Sequence, residues 1–135
     1  MDNDVLRLGD HQMLRVVSTT EGSLEVESIW QPGPPPRPHW HPYQSEDFSV
    51  LEGELTVELG GRQVTLAVGD TVEVPPRTVH RMWNPGPGET RARWRITPPQ
   101  QTAAMFRRID RGLGPVSSLA FLWRFRREYR IGQPR

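Results

Sequence analysis

The stretch that decides the fold reads Gly33-Pro-Pro-Pro-Arg-Pro-His39-Trp-His41-Pro-Tyr-Gln-Ser-Glu46-Asp-Phe-Ser-Val-Leu-Glu-Gly53. Its two histidines lie one residue apart in what reads as extended chain, so they project from the same face of a strand while Trp40 projects from the other. Glu46 follows His41 across a turn that begins with a proline. Two imidazoles and a carboxylate directed at one point suit iron, manganese, nickel, zinc or copper.

A second stretch supplies a third histidine behind a Pro-Pro turn, at the head of another predicted strand. It reads Gly69-Asp-Thr-Val-Glu-Val-Pro75-Pro-Arg77-Thr-Val-His80-Arg-Met-Trp-Asn84. An isolated His-x-His pair usually has no metal-binding role, but three of the four histidines of this chain fall within the two stretches. The fourth, His11, follows a Gly-Asp turn signal and is predicted to be an exposed loop residue.

These two stretches resemble the two signature motifs of the cupin superfamily. The first fits G-x5-H-x-H-x4-E-x6-G, and the second fits G-x5-P-x-G-x2-H-x3-N except that Arg77 stands at the glycine. The resemblance implies a small antiparallel, jelly-roll-like β-barrel. It also implies that a divalent transition metal is bound by His39, His41, Glu46 and His80.

The departure at Arg77 bears on the backbone of the turn before His80. The glycine usually found there serves backbone geometry, and an arginine with positive φ would carry a modest strain. The alternative is that this turn takes a conformation open to any residue. We favour the second interpretation.

The hydrophobic pattern independently predicts an all-β fold. Short runs of alternating apolar and polar residues recur between residue 12 and Thr97, separated by turn signals such as Gly60-Gly61. Runs of hairpins without an intervening helix favour antiparallel pairing. Prolines in residues 31–38 exclude that segment from a central ladder, so it is predicted to be an extended loop.

The pattern changes after Pro98-Pro99 to helical spacing. One amphipathic helix is predicted from the apolar face that contains Thr102, Phe106, Ile109 and Leu113. A second helix is predicted to begin after Pro115, with Ser117 or Ser118 as its cap, and to continue through Tyr129. We therefore expect a barrel with an N-terminal strand over residues 1–98. Residues 99–135 are expected to be a helical tail packed on the barrel or on a dimer partner, within one domain overall.

Strand alternation also predicts which side chains surround the metal. The predicted substrate pocket consists of apolar and aromatic residues, namely Trp30, Phe48, Val50, Met82 and Trp94. Such a lining favours a small, largely hydrophobic or aromatic ligand that offers oxygen atoms to a metal. Ordinary barrel core would produce the same list. Polar candidates near the mouth are Arg37, Tyr43, Gln44 and Arg77.

Composition limits the partners. The formal charge of the 135-residue chain is +1, and it contains no cysteine, which excludes disulfides and thiolate chemistry. The N-terminus lacks the pattern of a secretion signal and no apolar stretch could cross a bilayer, so we expect a cytoplasmic protein without a membrane partner. The arginine-rich C-terminal helices lack a nucleic-acid-binding motif and are interpreted as a solvated face or a homodimer contact.

Three functions remain open from the sequence. The resemblance favours a metalloenzyme, with dioxygenase-like oxygenation of a small aromatic or enol-type substrate as the leading hypothesis and isomerase or cyclase chemistry as an alternative. The second function is a non-catalytic, metal-dependent small-molecule binding module. The third is a structural cupin without a working site, which the complete set of ligand residues argues against.

Overall fold

The computed structural model describes residues 5–113, 115–132 and 134. Within them, strands precede two helices, and a short final strand follows. The elements are β1 (Val5–Arg7), β2 (Gln12–Thr19), β3 (Leu24–Trp30), β4 (His39–Trp40), β5 (Ser45–Glu52), β6 (Leu55–Leu59), β7 (Arg62–Leu66), β8 (Thr71–Val74), β9 (His80–Trp83), β10 (Thr90–Thr97), α1 (Thr102–Asp110), α2 (Pro115–Arg124) and β11 (Arg130–Ile131).

The strands form two antiparallel sheets. One has the order β1-β2-β3-β10-β5-β8 and the other has the order β11-β4-β9-β6-β7. Buried side chains from both sheets belong to a single hydrophobic cluster, to which α1 contributes Met105 and Phe106. The predicted all-β, antiparallel architecture is confirmed, although the strands pair as two sheets and not as one continuously hydrogen-bonded barrel.

Strand alternation sets which residues face this core. In β10, Ala92, Trp94 and Ile96 are buried, while the arginines between them face outward, as the sequence predicts. The register places Trp94 opposite Val26 of β3 and Phe48 of β5. A one-residue slip would move the whole apolar set to solvent, so burial of this face fixes the pairing.

The turn at Arg77 differs from the interpretation we favoured. Its φ is +63°, in the left-handed region, where a residue with a Cβ carries a cost of about 1–2 kcal/mol. The backbone N–H of Arg77 donates a hydrogen bond of 2.8 Å to the carbonyl of His41. This hydrogen bond connects the turn before His80 to the segment that carries His41.

The C-terminal segment is less helical than predicted. Helix α1 ends at Asp110, and Gly112 follows with a φ of +87°. Helix α2 begins at Pro115 itself, a position where proline costs no hydrogen bond, and it ends at Arg124 without reaching Tyr129. Arg130 and Ile131 then pair with Trp40 and His39. Pairing with the edge of β4 supplies backbone hydrogen bonds where the helix has ended.

None of the helices in the described part of the chain is long and apolar enough to cross a membrane.

Candidate metal centre

The fold brings the three motif histidines together. His39 lies on β4 directly opposite His80, the first residue of β9, and His41 follows β4. One ring nitrogen from each of the three lies within 4.8 Å of the others. His41 and His80 are buried, and His39 is partly buried. Residues 41 positions apart in the sequence are thus held by strand pairing and not by a local loop.

Glu46 approaches two of these histidines from β5. Its Oε1 lies 3.1 Å from Nε2 of His41 and 2.9 Å from Nε2 of His80. These distances resemble ion pairs, yet among the described residues both His41 Nε2 and Glu46 Oε1 are buried without a partner in hydrogen-bond geometry. Proximity alone does not make a hydrogen bond, because the donor N–H must also point at the acceptor. The atoms converge without satisfying one another.

The other polar atoms of these side chains are already engaged. Nδ1 of His41 bonds the carbonyl of Glu128, and Nδ1 of His80 bonds the carbonyl of Thr78 at 2.8 Å. A carbonyl can only accept, so both Nδ1 atoms carry the proton, and in the neutral rings Nε2 presents a lone pair. Nε1 of Trp94 donates to Oε2 of Glu46 at 2.8 Å, which leaves Oε1 directed at the histidines.

The charges agree with this arrangement. Burial lowers the pKa of His39 well below its usual value, and the positive charges of His80 and His41 lower it further. Burial would raise the pKa of Glu46, but the positive charge that His41 and His80 can carry beside its carboxylate holds it well below its usual range. Burial opposes protonation of His41, whereas the carboxylate of Glu46 outweighs burial and raises its pKa. At neutral pH the carboxylate of Glu46 is therefore ionised and the imidazole of His39 is neutral.

A cavity of about 440 Å³ opens next to the four side chains. Its wall is mostly apolar and includes four of the five predicted pocket residues, Trp30, Phe48, Met82 and Trp94. Phe48 and Trp94 stack with ring centroids 5.2 Å apart. The volume lies in the range of about 300–1,000 Å³ that is typical of small-molecule sites.

Val50 is the predicted pocket residue that the structure places elsewhere. It is buried in the core opposite Ala92, outside the cavity wall formed by the described residues. Val50 shares a face with Glu46, but four residues of strand separate them by about 13 Å. The alternation of side chains predicts that Val50 faces inward, but it does not show how far along β5 Val50 lies from Glu46.

Several contributors to the cavity could not be identified from the motifs. Phe106 comes from α1, Phe121 from α2, and Tyr129 from the segment before β11. The ring of Tyr129 stacks on His39 with centroids 4.9 Å apart. Burial raises the pKa of Tyr129, while the charge of Arg37 partly opposes this shift. The C-terminal segment thus completes the wall beside the histidines.

The four polar candidates at the mouth have different surroundings. Gln44 is buried, and its amide donates to Pro98 O, Pro99 O and Thr102 Oγ1, so it joins the turn before β5 to the start of α1. Tyr43 is exposed beneath the guanidinium of Arg127, and the guanidinium of Arg77 lies over the Trp40 ring. Arg37 lines the cavity.

Comparison with known proteins places this site in a family. The model of the cupin domain matches residues 26–95, which include both histidine-bearing stretches. This chain belongs to the cupin family. Among solved structures, the cupin fold is shared with KdgF from Halomonas sp. (TM-score 0.69, 22% identity, covering 75% of this chain and 91% of that one). It is also shared with an RmlC-like cupin from Shewanella frigidimarina (TM-score 0.67, 21% identity, 74% and 87% covered).

Two curated proteins are similar in sequence to this cupin. Quercetin 2,3-dioxygenase of Bacillus subtilis is 35% identical over 82 residues, which cover 58% of this chain and 24% of the dioxygenase. Polyketide synthase CurC of Streptomyces cyaneus is 33% identical over 82 residues, covering 61% of this chain and 53% of that protein. The chain thus spans about half or less of the length of these relatives.

Proposed function

We propose that this cupin is a metalloenzyme that binds one divalent transition metal through His39, His41, Glu46 and His80. It would act in a dioxygenase-like manner on a small, largely hydrophobic or aromatic substrate. The observation that carries the proposal is the convergence of imidazole nitrogens on a buried carboxylate oxygen, with Nε2 of His41 and Oε1 of Glu46 lacking hydrogen-bond partners among the described residues.

The four side chains are better suited to binding a metal than to hydrogen bonding with one another. Leaving a buried acceptor unpaired costs about 1–3 kcal/mol. When His41 is neutral, its Nε2 and Oε1 of Glu46 both present lone pairs 3.1 Å apart, and a cation between them would satisfy both atoms. Three imidazoles and one carboxylate are borderline ligands that suit iron, manganese, nickel, zinc or copper. The identity of the ion follows from cellular supply as much as from these ligands.

The surrounding residues would orient the ligands. The Glu128 and Thr78 carbonyls fix the tautomers of His41 and His80, and the indole of Trp94 holds one oxygen of Glu46. A bound metal of this kind polarises a substrate oxygen or brings substrate and oxygen together. The aromatic walls exclude water and hold an apolar substrate body beside the ligands.

Metal analysis tests the first half of the proposal. Purified protein should contain about one transition-metal ion per chain, and His39→Ala and His80→Ala should lose most of it. His11→Ala is the matched control, because the His11 side chain is exposed and lies outside the cavity wall. Equal metal content in all four proteins would refute the proposed ligand set.

Oxygen consumption tests the second half. Iron-loaded protein would be presented with catechols, flavonols and diketones in an oxygen-electrode cell. Turnover with one of these classes, lost in His80→Ala, is the expected result. The similarity to quercetin 2,3-dioxygenase supports this choice of panel. A metal-loaded protein that consumes no oxygen with any of them would not be an oxygenase of these substrates.

Membership of the cupin family also supports a second candidate, an isomerase or cyclase that uses the same centre without oxygen. Product analysis by mass spectrometry under nitrogen separates the two, since an isomerisation leaves the mass of the substrate unchanged. Binding without any product would instead identify a metal-dependent binding module.

We also propose that the protein forms a homodimer. Strand β7 is an edge of its sheet and exposes Val64, and unpaired edges favour association. Size-exclusion chromatography with light scattering would give twice the 15.5 kDa chain mass if this is correct and the chain mass if it is not. The cytoplasmic location expected from the sequence stays a prediction.

A further inference from the structure

Arg37 is the one positively charged side chain among the described residues that line the cavity. It lies at the end of the proline-rich loop, two residues before His39, and its backbone bonds that histidine. The arginines of β9 and β10 behave differently, since Arg81 pairs with Glu58 at 3.1 Å and Arg91 pairs with Glu27 at 3.0 Å. Within the described part of the chain, no carboxylate lies within 4.0 Å of the Arg37 guanidinium.

The side-chain amides on the cavity wall already donate to protein acceptors. Gln12 donates to Ser28 Oγ at 2.9 Å. Gln44 donates to three acceptors, of which Thr102 Oγ1 is the nearest at 2.7 Å. Arg37 is exposed at the cavity, and its guanidinium is a strong donor that has no protein acceptor among the described residues.

The rest of the wall determines what accompanies an anion at Arg37. Trp30 and Phe48 come from β3 and β5, and Phe106 and Phe121 come from the two helices. Apolar surface of this kind gains free energy from an apolar body at about 25 cal/mol per Å² removed from water. A guanidinium matches the two oxygens of a carboxylate in a planar, bidentate pair.

We propose that Arg37 is a specificity-determining residue and that the cavity takes a small organic acid with an aromatic or aliphatic body, whose carboxylate pairs with the Arg37 guanidinium. This inference rests on the proposed function for the role of the cavity as the substrate site. Because Arg37 lies two residues before His39 and lines the same cavity as His39 and Tyr129, the carboxylate would be held near the histidines and not at a remote surface.

Matched pairs of acid and amide test the proposal. The probes are 3-phenylpropanoate with 3-phenylpropanamide, octanoate with octanamide, and 2-naphthoate with 2-naphthamide, because each pair shares a shape and differs in charge. Dissociation constants would be measured by isothermal titration calorimetry on zinc-loaded and on chelator-treated protein, with the metal content measured separately. The variants are Arg37→Gln, Arg37→Lys and the control Arg62→Gln, an exposed arginine of β7 outside the cavity wall.

At least one acid should bind the wild type about tenfold or more tightly than its amide, in line with the strength of a charge-assisted pair. Arg37→Gln should bring that ratio near unity without weakening the amide, Arg37→Lys should retain part of it, and Arg62→Gln should match the wild type. Comparing proteins in the same metal state removes any contribution of the metal to carboxylate binding. Thermal melts of each variant exclude unfolding as the cause.

Several results would overturn the proposal. These are equal binding of acid and amide by the wild type, an equal loss of both probes in Arg37→Gln, and failure of every acid to bind at millimolar concentration. A protein that binds no metal but keeps an acid preference dependent on Arg37 would refute the metalloenzyme and leave this inference standing. A metal-loaded protein without that preference would do the reverse.

Discussion

Substitution of Trp94 by phenylalanine should weaken the centre through a single hydrogen bond. The indole Nε1–H donates to Oε2 of Glu46 at 2.8 Å, and Glu46 is almost fully buried. Phenylalanine keeps a ring to stack on Phe48 but removes the donor. A lost hydrogen bond to a charged group costs about 1.5–3 kcal/mol, and the smaller ring leaves a void worth about 1 kcal/mol more. We expect the free energy of unfolding of the metal-free variant to fall by about 2.5–4 kcal/mol.

The same substitution should reduce metal affinity. With Oε2 released, the Glu46 carboxylate can rotate and Oε1 is no longer held toward the histidines. Loss of a group that orients a ligand typically lowers metal affinity about 10–100-fold. Urea unfolding of chelator-treated protein measures the first effect, and competition with a chromogenic chelator measures the second.

Trp30→Phe is the matched control. Trp30 is buried on the same cavity wall, and among the described residues its indole makes no hydrogen bond to Glu46. It should lose about 1 kcal/mol, the cost of the void alone, and keep its metal affinity. If Trp94→Phe were no worse than Trp30→Phe in either measurement, the bond to Glu46 would not organise the centre.

Three further predictions concern the backbone and the metal. Gly53→Ala should unfold at markedly lower urea than Gly60→Ala, because both glycines have positive φ but only at Gly53 would a Cβ meet a backbone atom, the Glu89 oxygen at 2.5 Å; equal midpoints would contradict this. Arg77→Gly should be about 1 kcal/mol more stable to urea than Arg77→Ala, since both lose the contact with Trp40 and only alanine keeps the left-handed strain; an alanine variant as stable as the glycine variant would show that the turn is not strained. Chelator should lower the melting temperature of metal-loaded protein, since metal at one hundred times its dissociation constant stabilises by about 2.7 kcal/mol; an unchanged melting temperature would argue against a bound metal.

Much of the fold could be predicted because its determinants are local. Alternation of apolar and charged residues in Thr90–Thr97 specifies one buried face, and the Gly60-Gly61 pair specifies a hairpin because both residues have positive φ. The grouping of His39, His41 and His80 followed from two motifs and strand geometry. These features depend on near neighbours or on a known family pattern.

The remaining features depend on contacts between distant parts of the chain. Whether Tyr129 continues a helix or turns toward β4 depends on the free edge of that strand, 90 residues earlier, which the spacing of apolar residues does not reveal. The carbonyl of Glu128 that orients His41 also comes from this segment. Arg77 has positive φ in a turn whose N–H bonds the carbonyl of His41, whereas the residue type alone favours negative φ.

Anomalous X-ray scattering from crystals of the metal-loaded protein tests the central claim most directly. We expect one strong peak about 2.0–2.3 Å from a ring nitrogen of each of His39, His41 and His80 and from Oε1 of Glu46, at the absorption edge of a single transition metal. Histidines and a carboxylate that bond only one another, with the metal peak elsewhere or with no peak at all, would contradict it.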